Sequence, residues 1–219
     1  IGNIGDCGIF SFQETKHITT LGEGGIIITN NEEFANKCQK IRNHGEYYKD
    51  DSTVGFNLRL TDAQAAFGLA QLKRLPNILK IFRKNAKYIM KNLPEIISPP
   101  IIPKEIEHSF LILGCKYDVK KAGITKDKFL EKLTKNRKKF LVNEEISDIK
   151  GLNFKPGKII SSGYKTTQYD IPLYRKFRPK KKLINAENFL KTSFFLDIHR
   201  WRTQKEIDEE LKILDRTYQ

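Results

Sequence analysis

Hydrophobic and polar positions alternate between short apolar runs and longer amphipathic stretches. Gly8–Phe12 and Gly25–Thr29 are rich in Ile and Phe and bounded by glycine and polar residues, which predicts two buried strands. Between them lie Lys16, Thr19, Thr20 and the glycine cluster Gly22-Glu23-Gly24-Gly25. Asn30-Asn31-Glu32-Glu33 is an N-cap signal with acids in the first turn, so a helix should run through Phe34, Cys38 and Ile41 and stop near Gly45. Glu46–Thr53 is polar and predicts an exposed loop. Thr61 with Gln64 makes a capping box that opens a helix through Gln71. Pro76 should start another, Asn77–Leu93, with Ile78, Ile81, Phe82, Tyr88 and Ile89 at helical spacing.

Pro94, Pro99, Pro100 and Pro103 form the one compositional break and predict a linker. Beyond it Phe110–Tyr117 predicts a strand, Asp118–Ile124 a turn, and Thr125 the start of a helix through Phe129, Leu130 and Leu133. Residues 134–165 give no clear pattern. Phe194–Ile198 predicts a further strand, and Thr203–Tyr218 a closing amphipathic helix capped by Thr203 with Glu206. Trp201 reads as a packing residue, and His44 as a structural histidine as readily as a functional one.

The 219 residues suffice for one large core or two modest ones, and 39% hydrophobic with 11% aromatic residues is an ordinary globular composition. No apolar run approaches the roughly 20 residues of a membrane span, so no membrane partner is expected. Cys7, Cys38 and Cys115 lie too far apart to suggest a disulfide framework or a metal knuckle, which favours a reducing, cytoplasmic setting and no metal. The net charge of +14 invites a nucleic-acid reading. Yet the lysines are spread along the chain, condensing only at Lys135–Lys139 and Lys180–Lys182 without the aromatic pattern of a nucleic-acid module. A lysine-rich solvated surface is the simpler reading, and nucleic acid is not the expected partner.

The chemistry centres on Lys16. A lysine in a strand-to-strand connection, with hydroxyls and glycines around it, suits covalent chemistry on a carbonyl, because its amine can form a Schiff base with an aldehyde cofactor. The bland alternative is one solvated lysine among forty Lys and Arg.

The flanking residues decide between these readings. Ser11-Phe12 with Lys16, then Ile18-Thr19-Thr20 and Gly22-Glu23-Gly24-Gly25, resemble the lysine segment of the DegT/DnrJ/EryC1/StrS aminotransferases. These are pyridoxal 5'-phosphate enzymes that aminate nucleotide-linked keto sugars. Arg42-Asn43-His44-Gly45 resembles the family's R-N-H-G segment. Gly55-Phe56-Asn57-Leu58-Arg59-Leu60 before Gln64-Ala65-Ala66 resembles its G-F-N-x-R-L segment and following helix. Pro172-Leu173-Tyr174 and Asn185-Ala186-Glu187 resemble later elements. The likeness is strong from Gly5 to Leu75 and looser after Pro103. Leu21 is a departure, since the commoner spacing runs directly from T-T to G-E-G-G.

The resemblance implies that Lys16 is the Schiff-base lysine and proton shuttle and that Ser11 binds the cofactor phosphate. It implies that Asn57 reaches across a dimer interface to the neighbouring subunit's phosphate, with Arg59 close by in a structural or substrate-anion role. It implies an α/β architecture: the C-terminal part of a fold-type I pyridoxal-phosphate transferase large domain (1–75), an interdomain helix and proline linker (76–103), and an α+β small domain (104–219). It also implies a nucleotide-sugar substrate, glutamate or glutamine as amino donor, a homodimer, and an N-terminal half supplied in cis or in trans. A dehydratase branch of the family carries histidine at the lysine position, so Lys16 favours transamination. The rivals are an incomplete half acting only as a folding or interaction partner and, more distantly, a basic nucleic-acid-binding protein.

Overall fold

The computed structural model describes residues 2–45, 53–140, 160–161, 166–196, 198 and 202–219. Two compact units divide the chain, Ile1–Leu79 and Lys80–Gln219. Expectations for the loop at 46–52, most of 141–165, His199 and Trp201 lie outside the described residues.

In the first unit β1 (Gly8–Ser11) pairs antiparallel with β2 (Gly25–Ile28), with Gly8 opposite Ile28 and Ser11 opposite Gly25. The prediction of buried strands is corrected here: only Gly8 is buried, Ile9 is 76% exposed, and Ile26 and Ile27 are also exposed. A strand pair apolar on both faces needs a layer against each, and the described residues of this unit leave much of it open. Helix α1 (Glu32–Arg42) lies along the pair, and an apolar groove between them is lined by Ile9, Ile27, Ala35, Cys38 and Ile41 among others. The Asn31 side chain caps α1 by accepting from the Phe34 N–H at 2.9 Å. Gly45 ends the turn after it at φ +84°, where a Cβ would lie 1.8 Å from the Thr53 carbonyl oxygen. Only glycine fits there.

The two helices expected on either side of Pro76 are one, α2 (Asp62–Lys91), with the proline inside it. An internal proline costs about 3 kcal/mol. Downstream, however, Ile78, Phe82, Ala86 and Ile89 are all buried at helical spacing, and each large side chain contributes about 1.5–3 kcal/mol. Packing outweighs the lost hydrogen bond. The boundary between units falls within this helix, at Leu79–Lys80.

The second unit is built on a four-stranded antiparallel sheet, in the order β3 (Ile97–Ser98), β4 (Leu113–Tyr117), β6 (Ser193–Leu196), β5 (Ile160–Ser161). The proline-rich stretch is therefore more than a linker: Ile96 and Ile97 are buried and Ile97 pairs with Tyr117. Strand β4 starts three residues later than expected, because Phe110 takes φ +51° and its N–H donates to His108 Nδ1 at 2.9 Å, bending the chain. Leu113, Cys115 and Tyr117 alternate into the core beside Phe194 and Leu196. The expected turn after β4 holds a short helix, α3 (Val119–Ala122), capped by Asp118. Helix α4 (Lys126–Phe140) contributes Phe129 and Leu133, with the Phe129 ring 5.0 Å from that of Tyr117. Helix α5 (Ile184–Thr192) runs directly into β6, and the buried Lys126 ammonium fixes that junction by donating to the Leu190 carbonyl and, at 2.9 Å, to that of Ser193. Helix α6 (Gln204–Tyr218) adds Ile207, Ile213 and Leu214.

Two consequences are measurable. Burial pushes the Cys115 thiol up to about 12, so at about pH 8 only on the order of one molecule in ten thousand carries its thiolate. Alkylation of the native chain should therefore spare Cys115 until denaturant is added, while the half-buried Cys7 and Cys38 react first; mass spectrometry of the peptides reads the order. The Thr203–Glu206 capping box is present with both of its bonds, and Thr203→Ala should cost roughly 1 kcal/mol in denaturant unfolding. The Thr203 N–H holds the Glu206 carboxyl below its usual range. That contribution is present above the unfolded carboxylate value of about 4.3 and is lost as pH falls through the lower folded value.

Candidate active site

Ser11 ends β1 and Lys16 lies on the connection from β1 to β2, whose ends are tied by the backbone. The Phe12 N–H donates to the Gly24 carbonyl at 2.8 Å, extending the β ladder, and the Thr20 N–H donates to the Phe12 carbonyl at 3.2 Å. The buried Thr20 hydroxyl then donates to the Glu23 carbonyl at 3.1 Å. Gly24 allows this, since a Cβ there would sit 2.2 Å from the Thr20 hydroxyl oxygen. The same Glu23 carbonyl accepts from the Gln64 side-chain amide at 3.3 Å. Gln64 therefore does more than cap α2; it ties the lysine loop to that helix. Sequence spacing identified the cap but gave no sign of the second bond.

At the tip, the Lys16 N–H donates to the Gln13 carbonyl at 2.9 Å, making a tight turn that presents a half-buried lysine side chain. The Ser11 hydroxyl oxygen accepts from the Gln13 N–H at 3.3 Å, which leaves its own proton free to donate outward. Leu21, the extra residue in the motif, takes φ +64° and is 59% exposed. Its cost is local strain in an outward bulge, and the hydrogen bonds on either side of it are kept.

Asn57 and Arg59 sit on a second support in the same unit. The Phe56 N–H donates to the Ile41 carbonyl at 2.8 Å, Leu58 to Arg42 at 3.0 Å, and His44 to Phe56 at 3.0 Å, so the segment lies against the end of α1 with Asn57 bridged to Asn43. The Arg59 guanidinium donates to the Asn43 side-chain oxygen. Asn43 was not singled out by sequence reasoning, although it lies in the quoted R-N-H-G segment; the only available signal was that two matching segments must meet. Asn57 is exposed, its amide directed at no described partner in this chain.

The primary amine of Lys16 and the hydroxyl of Ser11 on one support, and the carboxamide of Asn57 on the other, are groups suited to an aldehyde that carries a phosphate, and no described contact brings the two supports' side chains together. No group of three metal-ligating side chains occurs among the described residues. Residues 1–145 match the model of the DegT/DnrJ/EryC1/StrS aminotransferase family. The chain belongs to that family. It is accordingly an aminotransferase-family chain whose family cofactor is pyridoxal phosphate. It is 29% identical over 205 residues to the UDP-4-amino-4,6-dideoxy-N-acetyl-beta-L-altrosamine transaminase of Campylobacter jejuni, covering 91% of this chain and 49% of that protein. It is 48% identical over 79 residues to the GDP-perosamine synthase of Caulobacter vibrioides, covering 34% and 20%. The solved structure of an aminotransferase from Psychrobacter cryohalolentis superposes with a TM-score of 0.81 at 23% identity, over 100% of this chain and 57% of that one. The fold of the described residues is thus that of the pyridoxal-phosphate sugar aminotransferases, and the chain spans about half the length of the Campylobacter and Psychrobacter proteins.

If Asn43 and Arg59 act as one support, Asn43→Ala and Arg59→Ala should each raise hydrogen exchange at the amides of His44, Phe56 and Leu58. The double variant should then add little more, with a coupling of roughly 0.5–3 kcal/mol. Additive effects would show that the two side chains act independently.

Proposed function

We propose that this chain is the C-terminal part of an enzyme that transfers an amino group from glutamate or glutamine to a nucleotide-linked keto sugar. The observation that carries the reading is Lys16 at the tip of a loop tied at both ends, with the Ser11 hydroxyl free to donate at the loop's first end. Bound pyridoxal phosphate would supply an electron sink for the carbon that loses its proton. Lys16 would be the point of covalent attachment, and its Nζ would carry the proton to and from the substrate carbon. Ser11 donates to the cofactor phosphate. Asn57 donates its amide N–H to the phosphate of a partner subunit in a homodimer, consistent with its exposure here. Arg59 holds that segment through Asn43 and is a positioning residue rather than a catalytic one.

In this reading residues 1–75 belong to the cofactor-binding domain and 104–219 to the small domain, and the stretch 76–103 between them also contributes the end of α2 and the strand β3 to the second unit. The exposed Ile9, Ile26 and Ile27 support a further large-domain segment, in cis or in trans, that covers the strand pair and completes the site. The same exposure supports a second reading, an incomplete half that folds or associates but does not hold cofactor alone. Three free cysteines fit a reducing cytoplasm.

Two assays separate these readings. Transfer of labelled nitrogen from glutamate to a nucleotide-linked keto sugar should fall by at least about 10²–10⁴-fold in Lys16→Ala. Ser11→Ala should lose one charge-assisted hydrogen bond, about 1.5–3 kcal/mol of cofactor affinity, without that collapse in chemistry. If the chain yields an imine absorbance with pyridoxal phosphate only when mixed with a complementary large-domain half, the second reading describes the isolated chain. Unchanged transfer in Lys16→Ala would contradict the first.

A further inference from the structure

The second unit carries a segment to which the aminotransferase reading assigns no binding or catalytic residue, although its first turn carries the Pro172-Leu173-Tyr174 element. Every residue from Ile171 to Asn185 is exposed, a run that includes the 3-10 turn Pro172–Phe177 and the start of α5. Within it Arg175, Lys176, Arg178, Lys180, Lys181 and Lys182 place six cations in eight positions, and no acid occurs between Asp170 and Glu187. Among these cations stand large apolar side chains: Leu173 is 71% exposed, Phe177 70% and Ile184 63%.

The root of this strap is fixed. The buried Thr167 hydroxyl donates to Asp170 at 2.6 Å, Asp170 lies 3.4 Å from the Arg178 guanidinium and its carbonyl accepts from Arg175, and Tyr169 donates to Glu187 at 3.3 Å while lying under Arg178. Asp170 therefore offsets part of the charge of Arg178. The carboxylates facing the strap, Asp170 and Glu187, both lie at its root, and Lys180, Lys181 and Lys182 have none beside them in sequence.

We infer that residues 171–184 dock the protein peripherally on an anionic phospholipid surface. Cations draw the strap to the lipid headgroups, and Leu173, Phe177 and Ile184 enter the acyl boundary. The pairing of charge with exposed aliphatic residues selects this partner. A substrate diphosphate would need two or three of the cations and none of the aliphatic side chains. A nucleic-acid strand would use the cations and the aromatic rings, leaving Leu173, Leu183 and Ile184 in water. The sequence expectation of no membrane partner rested on the lack of a spanning run. No described helix is long and apolar enough to cross a membrane, and interfacial docking requires none.

Vesicle flotation with the whole chain tests the inference and needs no enzymatic activity, so its outcome is independent of the aminotransferase reading. The chain should float with phosphatidylglycerol–phosphatidylcholine vesicles at low salt and stay behind with phosphatidylcholine alone. The triple variant Lys180→Gln, Lys181→Gln, Lys182→Gln should partition about 100-fold more weakly. Leu173→Ser with Phe177→Ser should lose about tenfold or more. Circular dichroism should be unchanged in both, since every altered side chain is exposed. The inference is overturned by absent flotation on anionic vesicles, or by flotation unchanged in either variant. It is equally overturned if only the triple variant weakens and a single-stranded oligonucleotide displaces the vesicles, because the strap would then be a general polyanion site.

Discussion

The carbonyl of Glu23 is the point on which the lysine loop depends. It accepts from the Thr20 hydroxyl and from the Gln64 amide, and so joins the returning end of the loop both to its own interior and to the first turn of α2. With the Phe12–Gly24 and Thr20–Phe12 backbone bonds, this ties the two ends of a connection about a dozen residues long. Each such bond is worth only about 1 kcal/mol net, whereas ordering a residue costs about 1–2 kcal/mol. Four bonds cannot freeze the whole loop. They fix its ends and, with the burial of Ile18 and Thr20, its second half, while the local bonds at Gln13 shape the turn at Lys16. In the proposed role, where Lys16 would hold a carbonyl and release it, the scaffold would place the base of the side chain through these bonds.

The second support has a different character. Asn57 sits on extended backbone laid against the end of α1, and its register comes from three main-chain bonds and the Asn43–Arg59 contact. Gly45 makes the close passage of the chain beside Thr53 possible. The exposed guanidinium of Arg59 is thereby used within the chain, to hold a segment.

Much of this was legible in the sequence, for reasons that differ by element. The caps at Asn31 and Thr203 and the capping box at Thr61 depend on residues three apart, so spacing alone revealed them. Ser11, Asn57 and Arg59 were singled out through resemblance, and Lys16 by its place between two predicted strands as well, because composition alone does not separate one lysine from the others of a strongly basic chain. Pro76 misled: the local rule stops a helix there, and the buried positions at Ile78, Phe82 and Ile89 that override it are long-range facts. The strands β1 and β2 misled in the other direction. Their apolar composition predicts burial, and the described chain leaves them open, so composition reported what these strands need rather than what this chain provides. Asn43 escaped notice because its partner is sixteen residues away.

The central claim is that Lys16 is the residue that binds the cofactor covalently. Its most direct test is borohydride reduction of the protein in the presence of pyridoxal phosphate and the complementary large-domain half, followed by peptide mapping. The account predicts a reduced pyridoxyl group on the peptide containing Lys16, and none there in Lys16→Arg. A stable adduct on a different lysine, with Lys16 unmodified, would contradict it.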